Sequence, residues 1–186
     1  MTDETDTPVP GRPIQPSAGE FGVTFRPPTP EDGLAVSRLI EACPPLDTNS
    51  LYSTLLLCSH FADTCILAER KGRILGWISG YRPPSDSDAL FVWQVAVAEA
   101  ARGRGLGKRM LNALFDLPAV RDARTLLTTV TPSNLTSRRM FADFAAQFGL
   151  TLEDRPHFDT DSHFGGAHEA EHLISIGPLD RARIAA

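Results

Sequence analysis

No excess of positive charge is present in the 186-residue sequence: 18 lysines and arginines stand against 23 aspartates and glutamates, a formal net charge of −5. A nucleic-acid or anionic-membrane partner asks for a basic face, so neither is expected. Cysteine is scarce as well. Cys43, Cys58 and Cys65 are odd in number and contain no C-x-x-C pair, which argues against a disulfide framework and for free thiols in a reducing, cytoplasmic setting. No run approaches the roughly 20 apolar residues of a membrane-spanning helix. Met1 to Glu20 has neither the basic nor the apolar block of a secretory signal, so none is expected. What remains is an ordinary globular composition, long enough to bury one proper core.

Residues 1–20, rich in Pro, Thr, Asp and Gly, offer almost nothing to bury and are expected to form a disordered tail, as are residues 180–186. The domain is expected over residues 21–179. Phe21–Arg26 alternates like a strand, and Thr29, Pro30, Glu31 and Asp32 then carry the signals of a helix start. That helix ends at Pro44-Pro45, and a second runs over about Leu51–Phe61. Thr64–Arg70 and Arg73–Tyr81, joined by Lys71-Gly72, read as a hairpin, and Ala89–Ala98 as a further strand. A helix over Leu106–Asp116, a strand over Arg124–Val130, a helix over Thr136–Phe148 and a last strand over His172–Ile176 complete the order. The pattern β-α-α-β-β-β-α-β-α-β predicts an α/β fold of the α+β kind, a mixed sheet with helices on its faces.

The most informative segment is the buried strand Phe91-Val92-Trp93-Gln94-Val95-Ala96-Val97, followed by Arg102-Gly103-Arg104-Gly105-Leu106-Gly107-Lys108. Glycines let the backbone turn its N–H groups toward a ligand, and a helix N-terminus favours phosphate. Arg102, Arg104 and Lys108 add charge, so a pyrophosphate is the natural guest. A P-loop fails because Arg102 stands where its first Gly belongs and Arg109 follows Lys108. The dinucleotide fingerprint fails because the glycines run at 103, 105 and 107. What is left is R-x-x-G-x-G, and a plain glycine turn with a solvated basic rim is its bland alternative.

This motif resembles the acetyl-CoA loop of the GNAT family of N-acetyltransferases, and Pro132-Ser133-Asn134, between a strand and a helix, extends the resemblance. The resemblance implies a central, mostly antiparallel sheet flanked by helices and splayed where acetyl-CoA binds. It implies pantetheine along Val95, Ala96 and Val97 and at Asn134, and pyrophosphate on Arg102, Gly103, Arg104, Gly105, Leu106, Gly107 and Lys108. Asn134 also suits a simple helix N-cap. Many members place a Tyr seven residues after that Asn. Here the position is Phe141, so any tyrosine acid must be Tyr52 or Tyr81. No metal is expected, and a homodimer is implied by the resemblance alone.

Segments from about Phe25 to Ile176 resemble, more narrowly, the branch of that family that acetylates a small diamino acid. They include Pro45-Leu46-Asp47, Asn49-Ser50-Leu51-Tyr52, Tyr81-Arg82-Pro83-Pro84, Phe91–Val97 and Gly165-Gly166-Ala167-His168-Glu169. The resemblance implies acetyl transfer to the 4-amino group of L-2,4-diaminobutyrate, a precursor of the compatible solute ectoine. Such a substrate carries two ammonium groups and one carboxylate. Asp47, Thr48, Asn49, Trp93, His168 and Glu171 are the residues expected to meet it. The attacking amine must be neutral, and Glu171 is the first choice of base, with His168 second. Three rival readings use the same residues. His168-Glu169-Ala170-Glu171-His172 spells H-E-x-x-H, which on a helix would hold zinc. A sensor that binds acyl-CoA without turnover, and a GNAT enzyme acting on another small amine, a polyamine or a peptide, are the other two.

Overall fold

The computed structural model describes residues 18–19 and 22–179. The expected tails fall outside these residues, except that Ala18–Gly19 forms a two-residue strand, β1, beside β2. The remaining strands are β2 (Val23–Arg26), β3 (Ile66–Arg70), β4 (Arg73–Tyr81), β5 (Ala89–Val97), β6 (Thr125–Val130), β7 (Thr151–Phe158) and β8 (Glu171–Gly177). They form one sheet in the order β1-β2-β3-β4-β5-β6-β8-β7. Every neighbouring pair is antiparallel except β5 and β6.

Successive strand residues serve opposite faces, as the two-residue repeat requires. Ile66, Ala68 and Ile78 enter one core, whereas Leu67 and Trp77 enter another. The second core is covered by α1 (Gly33–Glu41) and α2 (Leu51–Ser59), which supply Val36, Leu39, Ile40, Leu57 and Cys58. The first is covered by α3 (Leu106–Phe115) and α4 (Leu135–Phe148), with Met110, Leu111, Leu114, Phe141 and Phe144 turned inward. Each such fully buried side chain contributes about 1.5–3 kcal/mol.

Three expectations shift. The first helix opens as a 3-10 turn at Pro30–Asp32 before α1 begins at Gly33, and α2 ends at Ser59. Residues 151–158, to which the sequence pattern assigns no element, form strand β7. That strand pairs on one side only, with β8. Its edge position tolerates Pro156 and demands little apolar patterning.

The entry to α1 is fixed by a charge cluster. Arg26 donates to both oxygens of Asp32, at 2.7 and 2.8 Å, and to Glu69 at 3.0 and 2.7 Å. Asp32 also accepts from the Thr29 backbone N–H at 2.8 Å. Burial opposes ionisation of Asp32, but the hydrogen bonds from Arg26 and Thr29 outweigh it and hold the carboxyl below its usual range. A depressed folded-state pKa adds stability above the unfolded value, which is lost as pH falls through the folded one. Asp32→Asn is therefore expected to cost about 1–3 kcal/mol at neutral pH in urea unfolding. The deficit should shrink as pH falls below the ordinary aspartate range; a pH-independent deficit would mean that the charge is not what matters.

Candidate active site

β5 and β6 pair only at Ala89↔Thr125, Leu90↔Leu126 and Phe91↔Leu127. Beyond Phe91 the two strands part, leaving one edge of β5 open. The pairing on the other edge decides which groups face the gap. Ala98 N–H donates to Leu75 at 2.9 Å, so the alternation of an antiparallel ladder turns the N–H and C=O of Val97 and Val95 away from β4, into the gap. The Val97 carbonyl accordingly accepts from Arg102 Nε at 3.1 Å and from Cys43 Sγ at 3.4 Å, both on that side.

A bulge sets the side chains. The β4–β5 register shifts between Ser79 and Gly80, so that Ser79 faces Gln94 while Gly80 faces Val92, and Trp93 is the extra residue. Leu90 and Val92 therefore point at the α3–α4 core, and Val95 and Val97 do so again after the bulge. Gln94 turns the other way, 5% exposed, with its N–H on the Ser79 hydroxyl at 3.1 Å. Its side-chain Nε2 donates to the Asp47 carbonyl at 2.8 Å, fastening the loop after α1 onto β5. Trp93 is left 43% exposed, as a wall of the cleft. The tryptophan that packs the core is Trp77.

At one end of the gap lies a cavity of about 540 Å³, lined among others by Val95, Val97, Arg102, Lys108, Asn134 and Arg139. The glycine turn forms its floor. Gly103 and Gly105 take left-handed φ values of 72° and 67°, which other residues adopt only with strain. Gly105 is the N-cap of α3, so the unpaired N–H groups of that helix open onto the cavity. Gly107 sits where α3 meets α4, and a Cβ there would come within 2.7 Å of the Met140 sulfur, which would have to shift. Gly103, Leu106 and Gly107 line this cavity too, whereas Arg104 lines a separate one. Ala96 is wholly buried against α1, so only its backbone lies near the open edge.

At the other end a cavity of about 680 Å³ is lined by Asp47, Trp93, Gln94, Phe141, His168 and Glu171, among others. The two cavities share Pro45, Leu46, Val95, Asn134, Thr136 and Ser137, so they form one cleft. Asn134 accepts from the Ser137 N–H at 3.1 Å, which makes it the N-cap of α4 at the junction. Thr48 and Asn49 line neither cavity. Phe141 is 2% exposed and presents only an apolar edge.

Glu171 opens β8, with the Thr129 hydroxyl of β6 close enough to favour its carboxylate. Its Oε2 is buried and has no hydrogen-bond partner among the described residues. Desolvation raises its pKa; the nearby carboxylates Asp47 and Glu169 push the same way, while His168 and Thr129 oppose them only in part. His168 Nδ1 lies 2.6 Å from the Glu169 carbonyl, a contact that requires the proton on Nδ1 and leaves Nε2 as acceptor in the neutral ring. Glu169 itself accepts from the N–H and hydroxyl of Ser133, at 3.1 and 2.6 Å, tying the loop before β8 to the start of α4.

The H-E-x-x-H match spans that loop and the first residues of β8, so His168 and His172 do not share a helix face. His172 instead meets Asp154 at 2.8 Å, and Arg138 of α4 pairs with the same carboxylate. Among the described residues no group of three or more His, Cys, Asp or Glu could hold a metal ion. Gln94, Thr129 and Ser133 were missed by sequence reasoning. Only Gln94 left a signal, as the single polar residue in an otherwise apolar strand.

Comparison with known proteins gives a consistent picture. The sequence model of the acetyltransferase (GNAT) family matches residues 34–145. An L-2,4-diaminobutyric acid acetyltransferase of Bordetella parapertussis is 45% identical over 95% of this chain and 96% of its own. One from Methylotuvimicrobium alcaliphilum is 44% identical over 84% of this chain and 91% of its own. Among solved structures, the diaminobutyrate acetyltransferase of Paenibacillus lautus, in complex with L-2,4-diaminobutyric acid and coenzyme A, superposes with a TM-score of 0.81 at 41% identity, covering 84% of this chain and 95% of that one.

Proposed function

The chain belongs to the acetyltransferase (GNAT) family, and from that premise we propose that it carries the acetyl group of acetyl-CoA to the 4-amino nitrogen of L-2,4-diaminobutyrate. The product is N4-acetyl-L-2,4-diaminobutyrate, for synthesis of the compatible solute ectoine. The observation that carries this reading is the continuity of a phosphate-suited cavity with an acid-lined one through the open edge of β5. Relatives with the diaminobutyrate activity, close in sequence and in fold, support it.

The pyrophosphate sits on the α3 N-terminus with Arg102 and Lys108 beside it, and pantetheine runs along Val95 to Val97 as an added strand. The thioester carbonyl then lies near the outward Val95 N–H, which stabilises the tetrahedral oxyanion; such a donor is typically worth about 3 kcal/mol of barrier. Asp47 and Glu171 receive the ammonium groups, and Trp93 walls the pocket. An amine with a lysine-like pKa of about 10.4 is almost wholly protonated at neutral pH, so a proton acceptor is required. Glu171 takes that proton, directly or through water, with His168 Nε2 as the second candidate. The freed nitrogen adds to the carbonyl carbon, the C–S bond breaks, coenzyme A leaves as a thiolate, and the second proton that the nitrogen sheds passes to that thiolate, directly or through water. With a pKa of about 8.5 that leaving group needs little acid help, which suits Phe141 at a position where many relatives carry Tyr.

The proposal includes a cytoplasmic homodimer. Its supports are the family resemblance and the three buried free cysteines; among the described residues no helix is long and apolar enough to cross a membrane.

Thiol release from acetyl-CoA tests the assignment, with L-2,4-diaminobutyrate beside ornithine, lysine and a peptide panel and the acetylated nitrogen read by NMR. Turnover on diaminobutyrate with acetyl on the 4-nitrogen is expected. Turnover only on another amine would discard the substrate, and coenzyme binding without any turnover would favour a sensor. The Gln94 clamp supplies a narrower check. Gln94→Leu removes the donor to the Asp47 carbonyl and frees that loop, so KM for diaminobutyrate should rise about tenfold while KM for acetyl-CoA stays put. Equal shifts in both would trace the effect to the sheet.

A further inference from the structure

We infer that the protein carries a second anion site, on the far side of the glycine turn from the coenzyme cleft, built for a phosphate monoester or inorganic phosphate. The site is a cavity of about 270 Å³ lined by five cations: Arg70, Lys71 and Arg73 from the β3–β4 turn, and Arg104 and Arg109 from the glycine turn and α3. Among the described residues no carboxylate lines it. Arg109 lies 5.3 Å over the Phe25 ring. The cavity shares only Ala101 and Leu106 with the coenzyme cleft, so the turn is a wall between the two.

Three features separate this cluster from an ordinary solvated face. First, the chain is acidic overall, at −5, and still gathers Arg70, Lys71, Arg73 and Arg104 around one hollow, with Arg109 on its wall. Like charges this close repel, and a protein that uses surface cations only for solubility spreads them among acids. Second, rigid elements hold them. Arg70 and Arg73 face each other across the tight turn that closes the hairpin, where Lys71 and Gly72 have φ values of 50° and 75°. Arg104 stands between the left-handed Gly103 and Gly105. Third, the set is mostly guanidinium, whose planar fork pairs with phosphate oxygens two at a time. The shape accommodates a tetrahedral oxyanion with some of its water.

Two sources can supply that chemistry: free phosphate, or the 3′-phosphate of the coenzyme reaching around the turn. Calorimetry on the full chain and on an Arg70→Glu, Arg73→Glu variant distinguishes them. These residues lie outside the catalytic cleft, and equal melting temperatures establish that the variant folds; Lys71→Glu serves in its place if they differ. If the source is free phosphate, inorganic phosphate binds the parent with the cleft saturated by coenzyme A, and the variant weakens it about tenfold or more. If the source is the coenzyme, the variant weakens coenzyme A by a similar factor and leaves 3′-dephospho-coenzyme A unaffected. Should the variant bind phosphate and coenzyme A as the parent does, or should 3′-dephospho-coenzyme A displace the phosphate, the inference is overturned. The free-phosphate arm is independent of the acetyl-transfer reading. The coenzyme arm rests on it, and thiol release with diaminobutyrate in the same samples separates the two failures.

Discussion

Glu171→Gln is expected to lower turnover on L-2,4-diaminobutyrate at neutral pH by about a hundredfold or more, while coenzyme A binds as before. The substitution keeps the size of the side chain and removes its negative charge and its ability to take a proton. Glu171 opens β8, on the diaminobutyrate side of the cleft, and does not line the cavity floored by the glycine turn. A loss of kcat across neutral pH that disappears in alkali, where free amine is abundant, is the mark of a missing base. Undiminished turnover across neutral pH would remove Glu171 from that role and leave His168 as the acceptor.

The same side chain links activity to pH and to stability with opposite signs. Burial raises its pKa, and the carboxylates of Asp47 and Glu169 reinforce that. A base must be ionised, so activity should fall as pH drops through this raised value, above the ordinary glutamate range. Stability runs the other way. A raised folded-state pKa means that the protonated form suits the fold, and its contribution is lost as pH rises through that pKa. Above that point Glu171→Gln should melt at a higher temperature than the parent, with the difference fading toward acid. The carboxylate is thus held where it is useful to chemistry and costly to the fold.

Much of this was legible in residue order because the central strands are buried on both faces. Phe91–Val97 is a continuous apolar run, and the change from strand to glycine turn to helix stands out beside it. The splay was implied only by resemblance, since nothing in the residues of β6 announces that its pairing with β5 stops at Phe91. Strand β7 was not legible: from Thr151 to Phe158 only Leu152 is better than exposed, so no alternation exists to read. The bulge at Trp93 was hidden for a related reason. A strict two-residue repeat puts Phe91, Trp93, Val95 and Val97 on one face, and a register shift supplied by β4 cannot be seen from β5 alone. That shift is what brings Trp93 and Gln94 to the substrate end of the cleft. Arg104 was grouped with its neighbours by sequence, although the left-handed glycines on either side turn it toward the other cavity.

Gly105→Asp should weaken coenzyme A binding by about a hundredfold or more. An added Cβ at this position meets nothing within 4 Å, so the protein itself does not resist the side chain. The φ of 67° does cost something, on the order of 1 kcal/mol, less for Asp than for most residues. Fold stability should therefore change little, all the more because a carboxylate at a helix N-terminus is favourable to the helix. That is also why binding suffers. The new carboxylate takes up the open N–H groups of α3 that a pyrophosphate would use, and it sets a negative charge against two more. Gly105→Ala carries the same backbone strain without the charge, so a loss of tenfold or less is expected there. Calorimetry on the two variants, beside their melting temperatures, separates strain from charge. Equal affinity for coenzyme A in the parent and Gly105→Asp would move the pyrophosphate off this turn. Losses of the same size in both variants would trace the effect to the shape of the turn and away from its charge.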